Sequence, residues 1–321
     1  MWVEIVCGLV VYRLFSRFLF KDDEFEPQTL FDSTFAIASS LEKLYGGKVY
    51  TGLRIPDAEN GNFQEIDMVL VTKGEAMVIM VKDISGFVDT EPSGSWVCMS
   101  GSKQHVDRHL NPVEETRKQV SILESYLERR GVLLPEGYLN CRVLLPNPNC
   151  RVAYRLDVLP EVISYEKWLQ LKPGSKFGFS NWMKDAFLGT KKDIQNGLDQ
   201  KLHFVLGSAP MWDRLELNGS RQLLGKFEGF KGKQEDMQTL QIVKRSKVSK
   251  VLVMKSTMFG FLGRKLHVLY TFRDYRGESG SASEWKECTV KPNMEILFQP
   301  RDTKKTRKLR LASVVSLSLS A

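Results

Sequence analysis

The chain has 321 residues, of which 42% are hydrophobic and 26% charged, and these proportions are those of a globular protein. Its length is sufficient for two domains. The five cysteines include no Cys-x-x-Cys pair and are odd in number, which argues against a disulfide scaffold and favours an intracellular, reducing environment. The net charge of +8 is uneven, because residues 211–321 hold 22 Lys and Arg against 11 Asp and Glu, whereas the first 210 residues are slightly acidic.

The first 21 residues are apolar apart from a few charges, and three interpretations of them remain open. In the first interpretation, residues 2–20 form a membrane anchor or an amphipathic helix, with the basic side chains on one stripe. A cleavable signal fits less well, since its charged start and its small-residue cleavage site are missing. The third interpretation is an ordinary helix docked on the protein. Residues 22–30 then form a polar linker.

The next elements are predicted from apolar spacing and capping residues. Apolar side chains at helical spacing predict a helix over 31–44, which Gly46-Gly47 ends before a strand over 48–53. A second helix, over 112–130, starts with a proline after the cap candidate Asn111. Beyond it the pattern predicts a strand over 141–145 and two further helices, one over 162–169 and one over 182–206.

Two apolar runs, over 65–71 and 76–82, flank Lys73-Gly74 and predict a β-hairpin. A two-residue turn at this dipeptide places Asp67 opposite Met80. A three-residue loop would instead put the polar side chains of the two strands on opposite faces of the sheet. The register of this hairpin therefore decides whether its polar residues can act together.

The polar side chains of this hairpin are those that metal-dependent cleavage of phosphodiesters uses. With the two-residue turn, Glu65 and Lys82 also lie opposite each other, on the same face as Asp67. Carboxylate oxygens bind Mg²⁺, and a lysine beside the ion can orient the attacking water. Met80 does not fit this chemistry, because its thioether is a soft ligand that suits Cu(I) rather than Mg²⁺. The plain alternative is a buried hairpin with Lys82 at its rim.

In the order and spacing of these motifs, residues 31–150 resemble the NERD (nuclease-related) domain, a branch of the PD-(D/E)xK restriction-endonuclease-like superfamily. The resemblance begins with an opening helix at residues 33–44 and two strands, Glu65-Ile66-Asp67 and Ile79-Met80-Val81-Lys82. It continues with the helix that starts at Asn111-Pro112 and with a further strand at residues 142–146. It implies a mixed sheet flanked by helices, and nuclease chemistry that depends on Mg²⁺ or Mn²⁺.

Three positions depart from the pattern of that family. Its early-helix Glu falls at Thr34, its Glu before x-Lys falls at Met80, and its helix Gln falls at Glu115. Asp67 and Lys82 remain as the catalytic candidates that the resemblance implies. The candidate metal ligands are three carboxylates, Asp67, Glu65 and Glu115.

From residue 211 onward, short β-rich runs alternate with turns and predict a small antiparallel barrel or sandwich. The predicted strands cover 223–227, 238–243, 251–255, 266–272, 285–290, 294–298 and 309–317.

Two basic clusters lie among these strands. The first cluster is Lys244, Arg245, Lys247 and Lys250, and the second is Arg301, Lys304, Lys305, Arg307, Lys308 and Arg310. Nearby aromatic residues are Phe227, Phe230, Tyr270 and Phe272. Basic and aromatic side chains together could bind single-stranded nucleic acid, and the basic ones alone could bind anionic lipid. The plain alternative is a solvated sheet edge on which lysines oppose aggregation.

The expected fold is mixed, α/β (α+β). Residues 31–206 form a restriction-endonuclease-like mixed sheet with flanking helices, and residues 211–321 form a smaller antiparallel β-rich domain. The expected function is a catalytically degenerate nuclease-related module for binding or scaffolding, with a membrane as one candidate location. The alternative is a Mg²⁺- or Mn²⁺-dependent nuclease using Asp67, Lys82 and a relocated carboxylate. The candidate partners are nucleic acid and an anionic membrane.

Overall fold

The computed structural model describes residues 30–100, 105–171, 192–219, 221–255, 265–273 and 284–320. Their helices and strands form two successive groups. The first group is α1 (Leu30–Tyr45), β1 (Lys48–Pro56), β2 (Phe63–Val71), β3 (Ala76–Val81), β4 (Gly86–Thr90), β5 (Trp96–Ser100), β6 (His105–His109), α2 (Pro112–Arg129), β7 (Leu139–Leu144), β8 (Cys150–Val152), α3 (Tyr154–Asp157), β9 (Val162–Ile163), α4 (Tyr165–Leu171) and α5 (Lys192–Gly207). The second group is β10 (Asp213–Leu217), β11 (Arg221–Lys231), α6 (Gln234–Leu240), β12 (Val248–Lys255), β13 (Leu266–Phe272), β14 (Trp285–Val290), β15 (Glu295–Pro300), β16 (Arg307–Arg310) and β17 (Val314–Ser318).

The sheet that carries the predicted hairpin has five strands in the order β1-β2-β3-β7-β9. Its first three strands are antiparallel, whereas β7 runs parallel to β3 and β9 runs parallel to β7. Helix α1 covers one face, where Leu41 lies in one apolar cluster with Met68 and Ile79. Helix α2 covers the other face, where Leu123 lies in a cluster with Val69. The predicted mixed sheet flanked by helices is therefore confirmed.

Helices α1 and α2 begin and end within a residue or two of their predicted bounds, because their end signals are local. The side chain of Asn111 accepts a hydrogen bond from the Val113 N–H at 3.1 Å and satisfies one of the free donors of the first turn of α2. Gly46, with a φ of 65°, ends α1 and donates its N–H to the Glu42 carbonyl at 2.9 Å.

A second, four-stranded sheet has the order β6-β5-β4-β8 and was not predicted from the sequence. Its core is formed by Val88, Trp96 and Cys150, which are almost fully buried. Its strands have five residues or fewer, and β6 (His105–His109) is mostly polar. Such short strands carry too few alternating positions to stand out from loops.

The third sheet has eight antiparallel strands in the order β14-β13-β12-β17-β10-β11-β15-β16. Most of its buried apolar side chains belong to one cluster, in which Phe298 has no exposed surface. Helix α6 packs against both β11 and β14. The predicted antiparallel β-rich structure is thus confirmed.

The predicted strand over 238–243 is wrong, because these residues form the end of helix α6 and a turn. Met237, Leu240 and Val243 recur at every third residue and contact the same apolar cluster. This spacing is closer to the helical period than to the alternation of a strand.

Two further elements differ in part from their predictions. The predicted helix over 162–169 begins only at Tyr165, because residues 162–163 pair in parallel with β7 as β9. The predicted strand over 309–317 is divided into β16 and β17 by a 3₁₀ turn at Leu311–Ser313.

The predicted N-terminal segment, residues 1–21, lies outside the described residues, as does the linker up to residue 29. The predicted helix over 182–206 is described only from Lys192, as α5. Within the described parts of the chain, no helix is both long and apolar enough to cross a bilayer.

The five-stranded and eight-stranded sheets meet at the outer edge of β1. The Arg54 N–H donates to the Pro210 carbonyl at 2.8 Å, and the Trp212 N–H donates to the Gly52 carbonyl at 2.9 Å. The guanidinium of Arg54 lies between two rings, 4.9 Å from the centre of Phe63 and 4.4 Å from that of Trp212. Backbone hydrogen bonds and cation–π contacts therefore join the two sheets at this edge.

The close approach at this junction predicts that Gly52→Ala destabilises the protein more than Gly61→Ala. Both glycines have a φ of +67°, so both alanines carry the same left-handed strain of about 1–2 kcal/mol. A Cβ on Gly52 would lie 2.9 Å from Leu224 Cδ1, whereas a Cβ on Gly61 would meet nothing within 4 Å. Overpacking at Gly52 should add about 1–3 kcal/mol to the loss, measured by urea unfolding. Equal losses in the two variants would contradict the close packing at this junction.

Candidate functional site

Of the two hairpin registers that the sequence leaves open, the structure has the one with the two-residue turn. The ladder between β2 and β3 pairs Met68 with Ile79 and ends in a two-residue turn at Lys73-Gly74, where Gly74 has a φ of 109°. One further step in the same register places Asp67 opposite Met80, whose side chain is 3% exposed. The candidate carboxylate of β2 therefore faces a buried thioether on β3.

Asp67 has two partners, one on each carboxylate oxygen. Its Oδ2 accepts a hydrogen bond from the Val81 N–H at 3.0 Å, at the point where the β2–β3 ladder ends. Its Oδ1 accepts a hydrogen bond from Nη2 of Arg301 at 2.7 Å. Asp67 therefore holds the end of β3 and a residue of the eight-stranded sheet at the same time.

Arg301 follows directly after β15 and reaches the candidate site from the eight-stranded sheet. Its Nε donates to Oε2 of Glu65 at 3.0 Å, in addition to the bond from Nη2 to Asp67. Its side chain is only 20% exposed, and that of Asp67 only 18%. One planar guanidinium thus bridges both carboxylates of β2.

The charge of Arg301 is stabilised by these two carboxylates. Burial alone would lower the pKa of Arg301, but the charges and hydrogen bonds of Asp67 and Glu65 outweigh burial and raise the pKa above its ordinary value. The guanidinium is therefore positively charged at neutral pH.

Lys82 and Glu115 form a separate ion pair at the edge of the site. Nζ of Lys82 lies 3.5 Å from Oε2 of Glu115, and the two side chains are 30% and 40% exposed. The Lys82 N–H donates to the Leu144 carbonyl of β7 at 3.0 Å, which positions Lys82 just beyond the end of β3. The charge of Lys82 is thus already matched by a carboxylate from α2.

Helix α2 also contributes Gln119, which the sequence did not single out. Its side chain is almost fully buried, and its Nε2 donates to the Glu65 carbonyl at 2.9 Å. Glu115 lies one turn earlier on the same helix. The signal in the sequence that could have identified Gln119 is its spacing from Glu115, because residues i and i+4 share a helix face.

Thr34, at the position of the early-helix Glu of the family, is buried on α1.

The residues of this site do not fit a divalent metal ion. Both carboxylates of β2 are engaged by Arg301, and Met80 offers sulfur where Mg²⁺ requires oxygen. Across the described ranges, no group of three His, Cys, Asp or Glu residues is arranged to hold a metal. The described geometry therefore assigns no ligand set to Mg²⁺ or Mn²⁺.

The two basic clusters differ in how exposed their side chains are. In the first, Lys244, Lys247 and Lys250 are exposed, whereas Arg245 forms a salt bridge with the buried Asp213. In the second, the exposed lysines are Lys304, Lys305 and Lys308, while Arg307 is half-buried and has a partner.

The second cluster lies next to the candidate site, since Lys304 and Lys305 are in the same β15–β16 connection as Arg301.

The aromatic residues expected to stack on nucleic-acid bases are mostly unsuitable. Phe227, Phe230 and Tyr270 are buried in the core of the eight-stranded sheet, and only Phe272 is substantially exposed.

A family model described as the nuclease-related domain, NERD, matches residues 31–146, roughly a third of the chain. These residues run from α1 through β7 and include Asp67, Met80, Lys82 and Glu115. Arg301 lies outside the matched segment. The match confirms the resemblance of this segment to nuclease-related domains, whose general kind is the PD-(D/E)xK superfamily. A comparison with curated proteins gives no match.

The contacts of Asp67 and Lys82 predict different effects on stability. Asp67→Ala removes the acceptor of the Val81 N–H and leaves Arg301 with one carboxylate, so we expect a loss of about 3 kcal/mol. Lys82→Ala removes a partly exposed ion pair and should cost less than about 1 kcal/mol. Urea unfolding of the two variants measures this difference. A loss for Lys82→Ala as large as that for Asp67→Ala would mark Lys82 as a structural residue.

Proposed function

We propose that this chain is a nuclease-related protein that binds without cleaving, its nuclease fold serving as a binding or scaffold module. The observation that carries the proposal is the almost fully buried Met80, which lies one residue beyond the last ladder pair, Met68 and Ile79, as Asp67 does on β2. Phosphodiester cleavage with a divalent ion needs hard oxygen ligands, and a thioether at this position supplies none. Fold alone does not establish activity, so the argument rests on the site.

The charges around Met80 support the same proposal. Glu65 and Asp67 are both held by Arg301, and the ammonium of Lys82 is paired with Glu115. A general base or a metal-bound water would need at least one of these groups to be available. Each of them is instead part of an ion pair.

The second candidate function is a Mg²⁺- or Mn²⁺-dependent nuclease. It is favoured by the approach of Glu115 to Lys82, which brings a third carboxylate to the face of the sheet that carries Glu65 and Asp67. Asp67 would then hold the metal with Glu65 or Glu115, and Lys82 would orient water. This function would require Arg301 to leave the carboxylates.

We further propose that the binding partner is nucleic acid, held by the connection between β15 and β16. Lys304, Lys305 and Lys308 are exposed on this connection and its following strand, beside the residue that enters the site. Exposed lysines neutralise phosphates and release counterions, which is the main source of affinity for nucleic acid. An anionic membrane is the competing partner, and the exposed cluster is equally compatible with a solvated edge strand.

The absence of turnover can be tested on the full chain with single- and double-stranded DNA and RNA in Mg²⁺ and in Mn²⁺. We expect no more cleavage by the wild-type protein than by Asp67→Asn or Lys82→Ala, because Met80 and Arg301 leave no metal site. The matched variants identify contaminating nuclease, which would cleave equally in all three preparations. Cleavage by the wild type that disappears in both variants would establish the nuclease function instead.

The nucleic-acid proposal predicts a steep dependence of affinity on salt. Replacing Lys304, Lys305 and Lys308 together by alanine should weaken binding to labelled single-stranded DNA and lower the slope of log affinity against log salt by about 2.

The triple variant of Lys244, Lys247 and Lys250 is the matched control for this prediction, because it removes the same charge from the first cluster. Fluorescence anisotropy between low and physiological salt measures both effects. Equal losses in the two triple variants would contradict a specific role for the second cluster. Binding to phosphatidylserine vesicles without binding to DNA would identify the membrane as the partner.

A further inference from the structure

We propose that the guanidinium of Arg301 takes the place of the divalent ion that Glu65 and Asp67 would otherwise hold, and that it joins the two large sheets through this charge. The inference extends the proposed function, since it identifies what stabilises the two carboxylates in a protein that does not use them for cleavage. It does not depend on the identity of the binding partner.

The first argument is the requirement of the two carboxylates for a cation. Glu65 and Asp67 are two residues apart on one strand and approach the same guanidinium, at 3.0 and 2.7 Å. Two carboxylates at one site repel each other unless a cation lies between them. In metal-dependent sites the ion supplies this charge, and here Nε and Nη2 of Arg301 supply it.

The second argument is that the guanidinium and an ion exclude each other. Mg²⁺ binds carboxylate oxygens at about 2.1 Å, and Ca²⁺ at about 2.4 Å. Nη2 of Arg301 is already 2.7 Å from Oδ1 of Asp67. An ion on that oxygen would therefore lie in the space of the guanidinium and would meet a like charge there. The two cations therefore compete for these carboxylates.

The third argument is that Arg301 is held in place by its backbone. Its N–H donates to the Leu224 carbonyl at 2.9 Å, and the preceding Pro300 pairs with Gly225. The two strands approach so closely there that a Cβ on Gly225 would lie 2.1 Å from the Gln299 carbonyl oxygen. The guanidinium thus extends from a rigid strand end, unlike the long side chains of most surface ion pairs.

The consequence is that loss of the charge of Arg301 should open a site for a divalent ion. We expect the wild-type chain to show no Mn²⁺ binding at submillimolar concentration, because Arg301 holds both carboxylates. Arg301→Ala should bind one Mn²⁺, at least about tenfold more tightly than the wild type. The double variant Arg301→Ala/Asp67→Asn should lose this gain.

The experiment is a titration of the full-length variants with Mn²⁺, in which electron paramagnetic resonance measures the free ion. Thermal unfolding in Mn²⁺ and in EDTA gives a second readout that does not involve activity, since an ion that binds only the folded state raises Tm. Lys304→Ala is the matched control, because it removes one positive charge from the same connection without touching either carboxylate. It should behave like the wild type in both measurements.

Folding of the variants must be separated from binding of the ion. Arg301→Gln removes the charge but retains hydrogen-bond donors and much of the volume, so it carries the test if Arg301→Ala does not fold. If neither variant folds alone, Mn²⁺ in the refolding buffer should restore folding. A failure of Mn²⁺ to do so would overturn the inference.

Two other results would also overturn the inference. One is a folded Arg301→Ala that binds no more Mn²⁺ than Lys304→Ala, and the other is Mn²⁺ binding by the wild type as tight as by Arg301→Ala. The first result would leave the proposed function standing, because Met80 would still supply no oxygen ligand. The second would remove one of its supports, the absence of a metal site, and the cleavage assay would then decide the proposed function. Conversely, cleavage by the wild type would contradict the proposed function, while the Mn²⁺ titration would still decide the role of Arg301.

Discussion

The contact of one guanidinium with two carboxylates is the interaction on which the arrangement of this protein depends. Glu65 and Asp67 lie near the middle of β2, where a pair of negative charges without a cation would be unfavourable. Arg301 supplies the cation, and Asp67 in turn accepts the Val81 N–H where the β2–β3 ladder ends. The local structure of the hairpin and its attachment to the eight-stranded sheet are therefore stabilised by the same group.

The junction of the two sheets has a second contact region that supports the first. Arg54, directly across the β1–β2 ladder from Glu65, stacks between Phe63 and Trp212. Backbone hydrogen bonds at Gly52 and Arg54 hold the segment before β10 against the edge of β1. The two contact regions adjoin, because Arg54 and Glu65 are ladder partners and Glu65 also binds Arg301. Together they hold the end of β15 against β2.

In the nuclease-related segment, residues 31–146, the fold and the polar site depend on different interactions. The strands, the turn and the two flanking helices follow the expected pattern, because they are stabilised by apolar packing that does not involve the polar residues. Met80 is almost fully buried, where a carboxylate without a metal would be costly. Its thioether carries no charge, and the two carboxylates of β2 are bound by Arg301.

The sequence by itself determined the elements whose signals are local. Asn111 and Pro112 marked the start of α2, and Lys73-Gly74 marked the turn of the hairpin, whose length and register the structure then decided. The resemblance to nuclease-related domains implied Asp67 and Lys82 as candidate site residues and Met80 as a departure, and strand alternation placed them on one face. The four-stranded sheet and helix α6 were not predicted, because short or half-polar segments take their structure from their packing partners.

Only the tertiary structure decided which charges meet. Arg301 appeared in the sequence as one member of a basic cluster, and nothing in its neighbourhood distinguished it from Lys304 or Arg307. Its partner Asp67 is 234 residues away in the chain. Such a pairing depends on how two sheets pack together, whereas periodicity and turn chemistry report only on residues close in sequence. The sequence thus identified the carboxylates, and the packing of the sheets determined the cation that holds them.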